Sequence, residues 1–109
     1  MKTTYKLPTK LREQLRTAYM AEYNAKSKSR WIREAIAFLL EEDQSLSSVG
    51  VGDDLEANDC LDTVELGDDI PESIETAIAV LRRQDPLMEG VMASIIRAAI
   101  KWRLARNGT

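Results

Sequence analysis

The sequence predicts a mainly α-helical domain built from two copies of one strand-helix-helix unit. A short alternating run followed by two helical patterns occurs twice, and the apolar positions of the first copy recur in the second. The chain has 109 residues, so each half is too small to bury its own apolar faces. We therefore expect the two units to pair and share one core.

The first unit is assigned to residues 1–44. Residues 3–7 alternate, with Tyr5 and Leu7 on one face, which is the period of a short half-buried strand. Thr9 is expected to cap the helix that follows. The apolar residues of the two helices recur at helical spacing. They are Leu11, Leu15, either Ala18 or Tyr19, with Met20 as a further candidate, in the first helix, and Trp31, Ile32, Ala35, Ile36, Leu39 and Leu40 in the second.

Residues 45–61 are predicted to form an acidic flexible linker, because Ser, Gly, Asp and Asn dominate and large apolar residues are few. From Ser45 to Asp62 there are five acidic residues and no basic one. Up to Arg33, by contrast, nine basic residues stand against two acidic ones, a net charge of +7 in a chain whose overall charge is −3. The basic first unit therefore favours a polyanionic partner, although the net charge of the whole chain is negative.

The second unit is assigned to residues 62–109. Residues 63–66 alternate as before, and residues 69–72 resemble a capping box with proline in the first turn. The third helix matches the first at an offset of 59 residues, and the fourth matches the second at an offset of 64. The second unit thus has five extra residues around positions 85–90, which we expect to form a longer loop or an extra helical turn.

Several functional classes are disfavoured by composition. No apolar run approaches the roughly 18 residues that span a bilayer, and no signal peptide is recognised, so a cytoplasmic location without membrane contact is expected. Cys60 is the single cysteine and histidine is absent, which excludes an intrachain disulfide and a Cys/His zinc site. The acidic residues fall on solvated helix faces or in the linker, so we expect no enzyme activity, no catalytic residue, no metal and no cofactor.

The alternating strand, the first helix, the polar turn at residues 25–29 and the segment Ile32–Ile36 together resemble the ribbon-helix-helix family, the class of Arc, MetJ and CopG. Two such units in one chain resemble TraY-type conjugation regulators. The resemblance implies that the two strands pair antiparallel and that the ribbon enters the major groove of double-stranded DNA. It also implies sequence-specific binding, as a repressor or as a relaxosome accessory factor, with self-association on adjacent sites.

In that arrangement the apolar strand residues face the helices, and the alternate residues face outward as candidate base readers. Lysine can donate to guanine, threonine can bind several base edges, and glutamate can accept from cytosine. The other interpretation of these residues is a solvated strand face whose lysines prevent edge-to-edge pairing. The candidate base-reading residues are Lys2, Thr4, Lys6, Thr63 and Glu65.

A second candidate site lies at the start of the second helix. Free backbone N–H groups and the positive helix end favour a phosphate there, and hydroxyl and basic side chains can add contacts. Simple N-capping by Ser27 or Ser29 is the structural interpretation of the same residues. In the second unit, Asp85 and Glu89 would instead repel phosphate. The candidate phosphate-binding residues are Ser27, Lys28, Ser29 and Arg30.

Three questions stay open at the level of sequence. Arg33 and Arg97 occupy matching positions and could brace the fold or touch DNA. The strands could pair within one chain or between two chains. The alternative function is a protein-interaction module, such as an antitoxin or assembly factor, that uses the acidic linker or the second unit.

Overall fold

The computed structural model describes residues 2–52, 56–67, 71–84 and 90–107. Within these ranges the chain forms four helices and one two-stranded antiparallel sheet, which confirms the predicted mainly α-helical class with a ribbon. In chain order the elements are β1 (Lys2–Leu7), α1 (Thr9–Glu22), α2 (Lys28–Glu42), β2 (Cys60–Glu65), α3 (Pro71–Gln84) and α4 (Val91–Asn107).

The ribbon is formed by β1 and β2 of the same chain, in a register that sets Thr4 opposite Thr63. β2 covers Cys60–Glu65, so it begins three residues before the predicted start at Thr63. Leu66 follows the strand and is nevertheless fully buried, because the alternation continues past the last ladder residue. The predicted inward face is correct in both strands, but the second strand is longer towards its amino end than predicted.

One hydrophobic core receives residues from both halves of the chain. α2 and α4 pack against each other at its centre, and each also contacts the strand of the other half, α2 with β2 and α4 with β1. This exchange means that neither half encloses a core alone. The largest fully buried side chains are Tyr5, Leu7, Leu15, Trp31, Ile32, Ile36, Leu39, Leu66, Ile74, Ile95, Ile96 and Ile100.

α4 is the most deeply buried helix, since every residue from 94 to 100 is buried. A helix that is enclosed on all sides lies inside the core rather than on its surface. Its two buried polar residues, Ser94 and Arg97, must therefore find partners within the protein.

The start of α1 differs from the prediction. Thr9 is the first helical residue, and Pro8, with an extended backbone, occupies the cap position. Proline offers no side-chain acceptor, and the carboxylate of Asp59 takes that role by accepting from the Thr9 N–H at 3.0 Å and the Thr9 hydroxyl at 2.8 Å. These hydrogen bonds from Thr9 hold the pKa of Asp59 below its ordinary value.

Part of the segment predicted as a flexible linker is packed. Leu46 and Val49 are buried in the core. Between α2 and these residues, the Asp43 carboxylate accepts hydrogen bonds from Ser45, Ser47 and Ser48. Burial raises the pKa of Asp43, but these hydrogen bonds outweigh it and hold the pKa below its ordinary value. The turn after α2 is thus fixed by one carboxylate and anchored by two apolar side chains.

Two sequence predictions fall outside the described residues. The first half of the proposed capping box before α3 includes residues 69 and 70, and the proposed insertion before α4 covers residues 85–89. Among the helices that are described, none combines the length and the apolar character required to cross a membrane.

Candidate nucleic-acid interface

The outer face of the ribbon carries all five candidate base readers. Lys2, Thr4, Lys6 and Glu65 are exposed, and Thr63 is half-buried. The register sets Lys2 opposite Glu65 and Thr4 opposite Thr63. Side chains directly opposite each other in an antiparallel pair lie within about 5.5 Å at their Cβ atoms. The prediction that these residues share one surface therefore agrees with the strand pairing, whereas their contact with bases stays a prediction.

Leu61 belongs to the same face and was missed by the sequence prediction. Its side chain is 63% exposed and lies opposite Lys6. The residue was overlooked because the predicted strand began at Thr63. Extending the alternation of Thr63 and Glu65 backwards by two residues would have identified it.

The inner face of the ribbon holds it rigidly on the helices. Tyr5, Leu7 and Val64 are buried against the core. The Tyr5 hydroxyl donates to Asp62 Oδ2 at 3.3 Å, and Lys28 Nζ donates to Asp62 Oδ1 at 2.7 Å. Burial and the neighbouring Asp62 carboxylate together raise the pKa of the Tyr5 phenol above its ordinary value. The ribbon, α2 and the half-buried Asp62 carboxylate thus form one connected network.

Arg33 and Arg97 brace the two ends of the ribbon. Arg33 Nη1 donates to the Glu65 carbonyl oxygen at 2.8 Å, and Arg97 Nη1 donates to the Lys6 carbonyl oxygen at 2.8 Å. Arg97 Nη2 also donates to Ser94 Oγ at 3.2 Å, which satisfies two buried polar groups of α4. Of the two roles left open by the sequence, bracing through a carbonyl is the one observed in the structure.

The side chains at the start of α2 all have partners inside the protein. The buried Ser27 hydroxyl donates to Asn24 Oδ1 at 3.0 Å, so Ser27 occupies the cap position without capping through its side chain. Ser29 Oγ accepts from the Glu65 N–H at 3.0 Å, and Lys28 binds Asp62 as described above. Arg30 stacks on the Tyr23 ring, with Cζ 4.1 Å from its centroid, and its Nε lies 3.6 Å from Glu34 Oε2.

The internal partners of these side chains limit what they can offer to a phosphate at the start of α2. Because their side chains already have internal partners, Ser27 and Ser29 contribute to the structure of the turn and the ribbon end. The backbone N–H groups of the first turn of α2 remain the groups that helix geometry leaves for an anion. The prediction of a phosphate at Ser27, Lys28, Ser29 and Arg30 is neither supported nor excluded by these contacts and stays a prediction.

A polar cluster at the far end of α4 was not predicted from the sequence. The Arg103 guanidinium stacks on Trp31, with Cζ 4.5 Å from the ring centroid, and donates to the Trp31 carbonyl and to Glu34 Oε1. Burial opposes the charge of Arg103, yet hydrogen bonds from it to Tyr23 and Glu34 raise the pKa of the guanidinium. The indole N–H of Trp31 donates to Glu22. The cluster joins α4 to α1 and α2 and has a structural role.

Among the residues described, no group of three or more potential metal ligands lies together. Polar side chains converge at the ribbon and the helix starts that border it, and separately in the Arg103 cluster. Comparison of the chain with protein-family models, with curated proteins and with solved structures finds no match.

Proposed function

We propose that the protein binds double-stranded DNA in a sequence-specific manner by inserting its two-stranded ribbon into the major groove. The observation that carries this proposal is the outer face of the ribbon. Lys2, Thr4, Lys6, Thr63 and Glu65 lie there side by side on a backbone that is fixed from beneath.

The dimensions and chemistry of the ribbon suit the major groove. The groove of B-DNA is about 12 Å wide and admits a two-stranded ribbon. Lysine donors, threonine hydroxyls and a glutamate acceptor match the donor and acceptor pattern of base edges, and a good contact discriminates by about 1–3 kcal/mol. The outer face of the ribbon therefore offers donors, acceptors and one apolar group to the base edges.

The proposal includes a pseudo-symmetric pairing of two ribbon-helix-helix units within the chain. At an offset of 59 residues, Thr4 corresponds to Thr63, and these two lie opposite each other in the register. The same offset relates Lys6 to Glu65, whose carbonyls are the two acceptors of the arginine braces. The donors, Arg33 and Arg97, are related by the offset of 64. These reciprocal contacts support a local two-fold axis through the threonine pair.

A two-fold ribbon with unequal ends would read an asymmetric site. One end presents Lys2 beside Glu65, and the other presents Lys6 beside Leu61. We propose that the protein acts as a transcriptional repressor or as a relaxosome accessory factor, with chains associating side by side on adjacent sites. The first turn of α2 would hold a phosphate through its backbone N–H groups.

The experiment that tests this function is selection on random duplexes followed by sequencing of the bound fraction. The expected result is an enriched asymmetric motif, with an affinity that falls steeply as salt is raised, since each neutralised phosphate contributes a slope of about −0.9. Absence of duplex binding at low salt would disprove the proposal.

One observation favours a second candidate function. Leu61 exposes a large apolar side chain at one end of a polar face, and Glu65 gives that face an acidic group at the other end. A protein-interaction module, such as an antitoxin or an assembly factor, could use both against a basic partner. A chain that binds no duplex at low salt but pairs with a basic protein partner through this face would favour the module.

A further inference from the structure

A cleft beside the ribbon has the composition of an anion site. It lies between α1, the start of α2 and the inner edge of β2, and has a volume of about 400 Å³. Arg12 and Arg16 line it from successive turns of α1, and Lys28 lines it from the opposite side. Two carboxylates, Glu13 and Asp62, belong to the same lining, so its cations outnumber its anions by three to two. Leu15, Tyr19 and Met20 contribute apolar surface. None of these α1 side chains was singled out as functional from the sequence.

The two guanidiniums differ from the other cations near the ribbon. Arg12 and Arg16 are exposed, and within the described ranges neither has an ion-pair partner. Lys28 and Arg30, by contrast, each bind a carboxylate. Positively charged groups that line a concave surface without internal neutralisation are available to an external anion.

The cleft adjoins the candidate DNA surface. Asp62 lies on the inner face of β2 and is directly followed by the outward-facing Thr63. The Arg12 charge also reaches the Tyr5 phenol, where it partly opposes the rise in pKa that burial and Asp62 produce. Arg12 therefore stands close to the network that fixes the ribbon.

We propose that this cleft binds a phosphate group, with Arg12 and Arg16 as the main donors and Lys28 as a third cation. A guanidinium presents paired N–H groups in a planar fork that matches phosphate oxygens, which a single ammonium does not. The Lys28 ammonium has three donors and binds Asp62 with one oxygen contact of 2.7 Å, so it can contact a phosphate without leaving the carboxylate.

Two sources could supply the phosphate: the backbone of bound DNA or a small phosphorylated molecule. The first source rests on the proposed function. If the phosphate comes from DNA, the main side-chain contacts to the backbone are made by α1. The start of α2 contributes fewer, because its serine hydroxyls already have partners inside the protein. The second source is independent of DNA and would make the cleft an effector site next to the ribbon.

The first experiment uses the DNA-free protein and inorganic pyrophosphate as the probe. Pyrophosphate is titrated into the protein in exchange for chloride, so that the ionic strength stays constant. The thermal unfolding midpoint is measured at each concentration. We expect a rise for the wild type and a dissociation constant at least tenfold weaker for the double variant Arg12→Gln, Arg16→Gln. The control, Arg82→Gln with Arg83→Gln, removes two exposed arginines of α3 that do not line the cleft, and is expected to match the wild type.

The second experiment measures binding to a random duplex as a function of salt. If the cleft holds two backbone phosphates, the cleft variant should lower the slope of log affinity against log salt by about 2. The α3 control should retain the wild-type slope. A lowered slope identifies backbone phosphate, and an unchanged slope with lost pyrophosphate binding identifies a small phosphorylated ligand.

The outcomes separate the cleft from the ribbon. If both the pyrophosphate response and the salt slope of the cleft variant equal those of the wild type, the cleft proposal is overturned even when DNA binding itself is found. If the wild type binds no duplex, the proposed function fails, and the pyrophosphate titration alone decides the cleft.

Discussion

The two ends of the ribbon rest on equivalent hydrogen bonds but expose different side chains. Arg33 of α2 binds the Glu65 carbonyl at one end, and Arg97 of α4 binds the Lys6 carbonyl at the other, each over 2.8 Å. Above these braces, Lys2 lies opposite Glu65 at the first end and Lys6 opposite Leu61 at the second. Because a bond to a carbonyl does not depend on the side chain of the same residue, the outer surface can change while the support is kept.

The largest effect should come from removing the more buried brace. Arg97→Met keeps the apolar stem but leaves the Lys6 carbonyl and the Ser94 hydroxyl without their donor. We expect a loss of about 3 kcal/mol in the free energy of unfolding, because several hydrogen bonds to a charged group are removed from the core. Urea denaturation measures it.

Arg33→Met is the matched control, because it removes the equivalent bond at the half-exposed end. There water can solvate the freed carbonyl, so a loss of about 1 kcal/mol is expected. A variant at Arg97 that is as stable as the wild type would contradict the argument, since it would mean that desolvation of the buried guanidinium cancels its bonds.

The second prediction concerns the outer lysines. Lys6 lies opposite the uncharged Leu61, whereas Lys2 lies across from Glu65, whose carboxylate is expected to offset part of the lysine charge. Lys6→Ala should therefore weaken binding to the selected duplex by about 2 kcal/mol, with a smaller loss on random DNA. Lys2→Ala should weaken the selected complex less. Equilibrium binding of both variants at one salt concentration tests the order.

Equal losses on selected and random DNA would make Lys6 a nonspecific phosphate contact. Equal losses for the two lysines would show that Glu65 does not offset the charge of Lys2. Either result would show that the two ends of the ribbon do not differ in how they recognise DNA. The arginine hydrogen bonds beneath the two ends would be unaffected.

The ribbon also shows which features could be predicted from sequence. Tyr5, Leu7, Val64 and Leu66 were assigned correctly because strict alternation over a few residues has a direct geometric meaning. The role of Arg33 could not be decided, because its helical position fits a contact with the ribbon backbone as well as one with DNA. A hydrogen bond between residues 32 positions apart depends on the tertiary fold.

The residues that the sequence prediction missed lie in segments whose composition is typical of a loop. Leu46 and Val49 are isolated apolar residues among serines and glycines, so no periodicity marks them as buried. Leu61 was missed for a different reason: it is exposed and stands in an acidic stretch before the predicted start of the strand. The sequence also could not show that Arg12 and Arg16 lack an ion-pair partner among the described residues. Whether a surface cation has such a partner depends on which elements the fold brings near it.

Leu61 gives the third prediction. As the apolar member of the outer face, it is expected to contact a thymine methyl group, which is the apolar feature of the major groove. Replacing thymine by uracil, one position at a time in the selected duplex, should weaken wild-type binding by about 1 kcal/mol at one position, close to the value of one buried methyl group. Competition binding measures each duplex.

The control is the variant Leu61→Ala, which should bind the uracil and thymine duplexes equally at that position. Wild-type protein that tolerates uracil everywhere would refute the methyl contact, although it would leave DNA binding by the lysines intact. Glu65 provides the contrast at the other end, where no uracil effect is expected.

The last prediction concerns the Tyr5–Asp62 pair beneath the Lys6 end of the ribbon. Tyr5→Phe removes the hydroxyl that donates to Asp62 and should lower the stability by about 1 kcal/mol at neutral pH. The pKa of Tyr5 is raised in the folded state, so its neutral form is favoured there and its contribution is complete below the unfolded pKa of about 10. That contribution is lost as the pH rises above this value.

The stability of the wild type should consequently fall more steeply with pH above about 10 than that of Tyr5→Phe. Urea denaturation at a series of alkaline pH values measures both slopes. Parallel curves for the wild type and Tyr5→Phe would show that folding does not raise the pKa of the Tyr5 phenol, against its burial beside the Asp62 carboxylate. The two ends of the ribbon would then differ less beneath the outer surface than the buried tyrosine suggests.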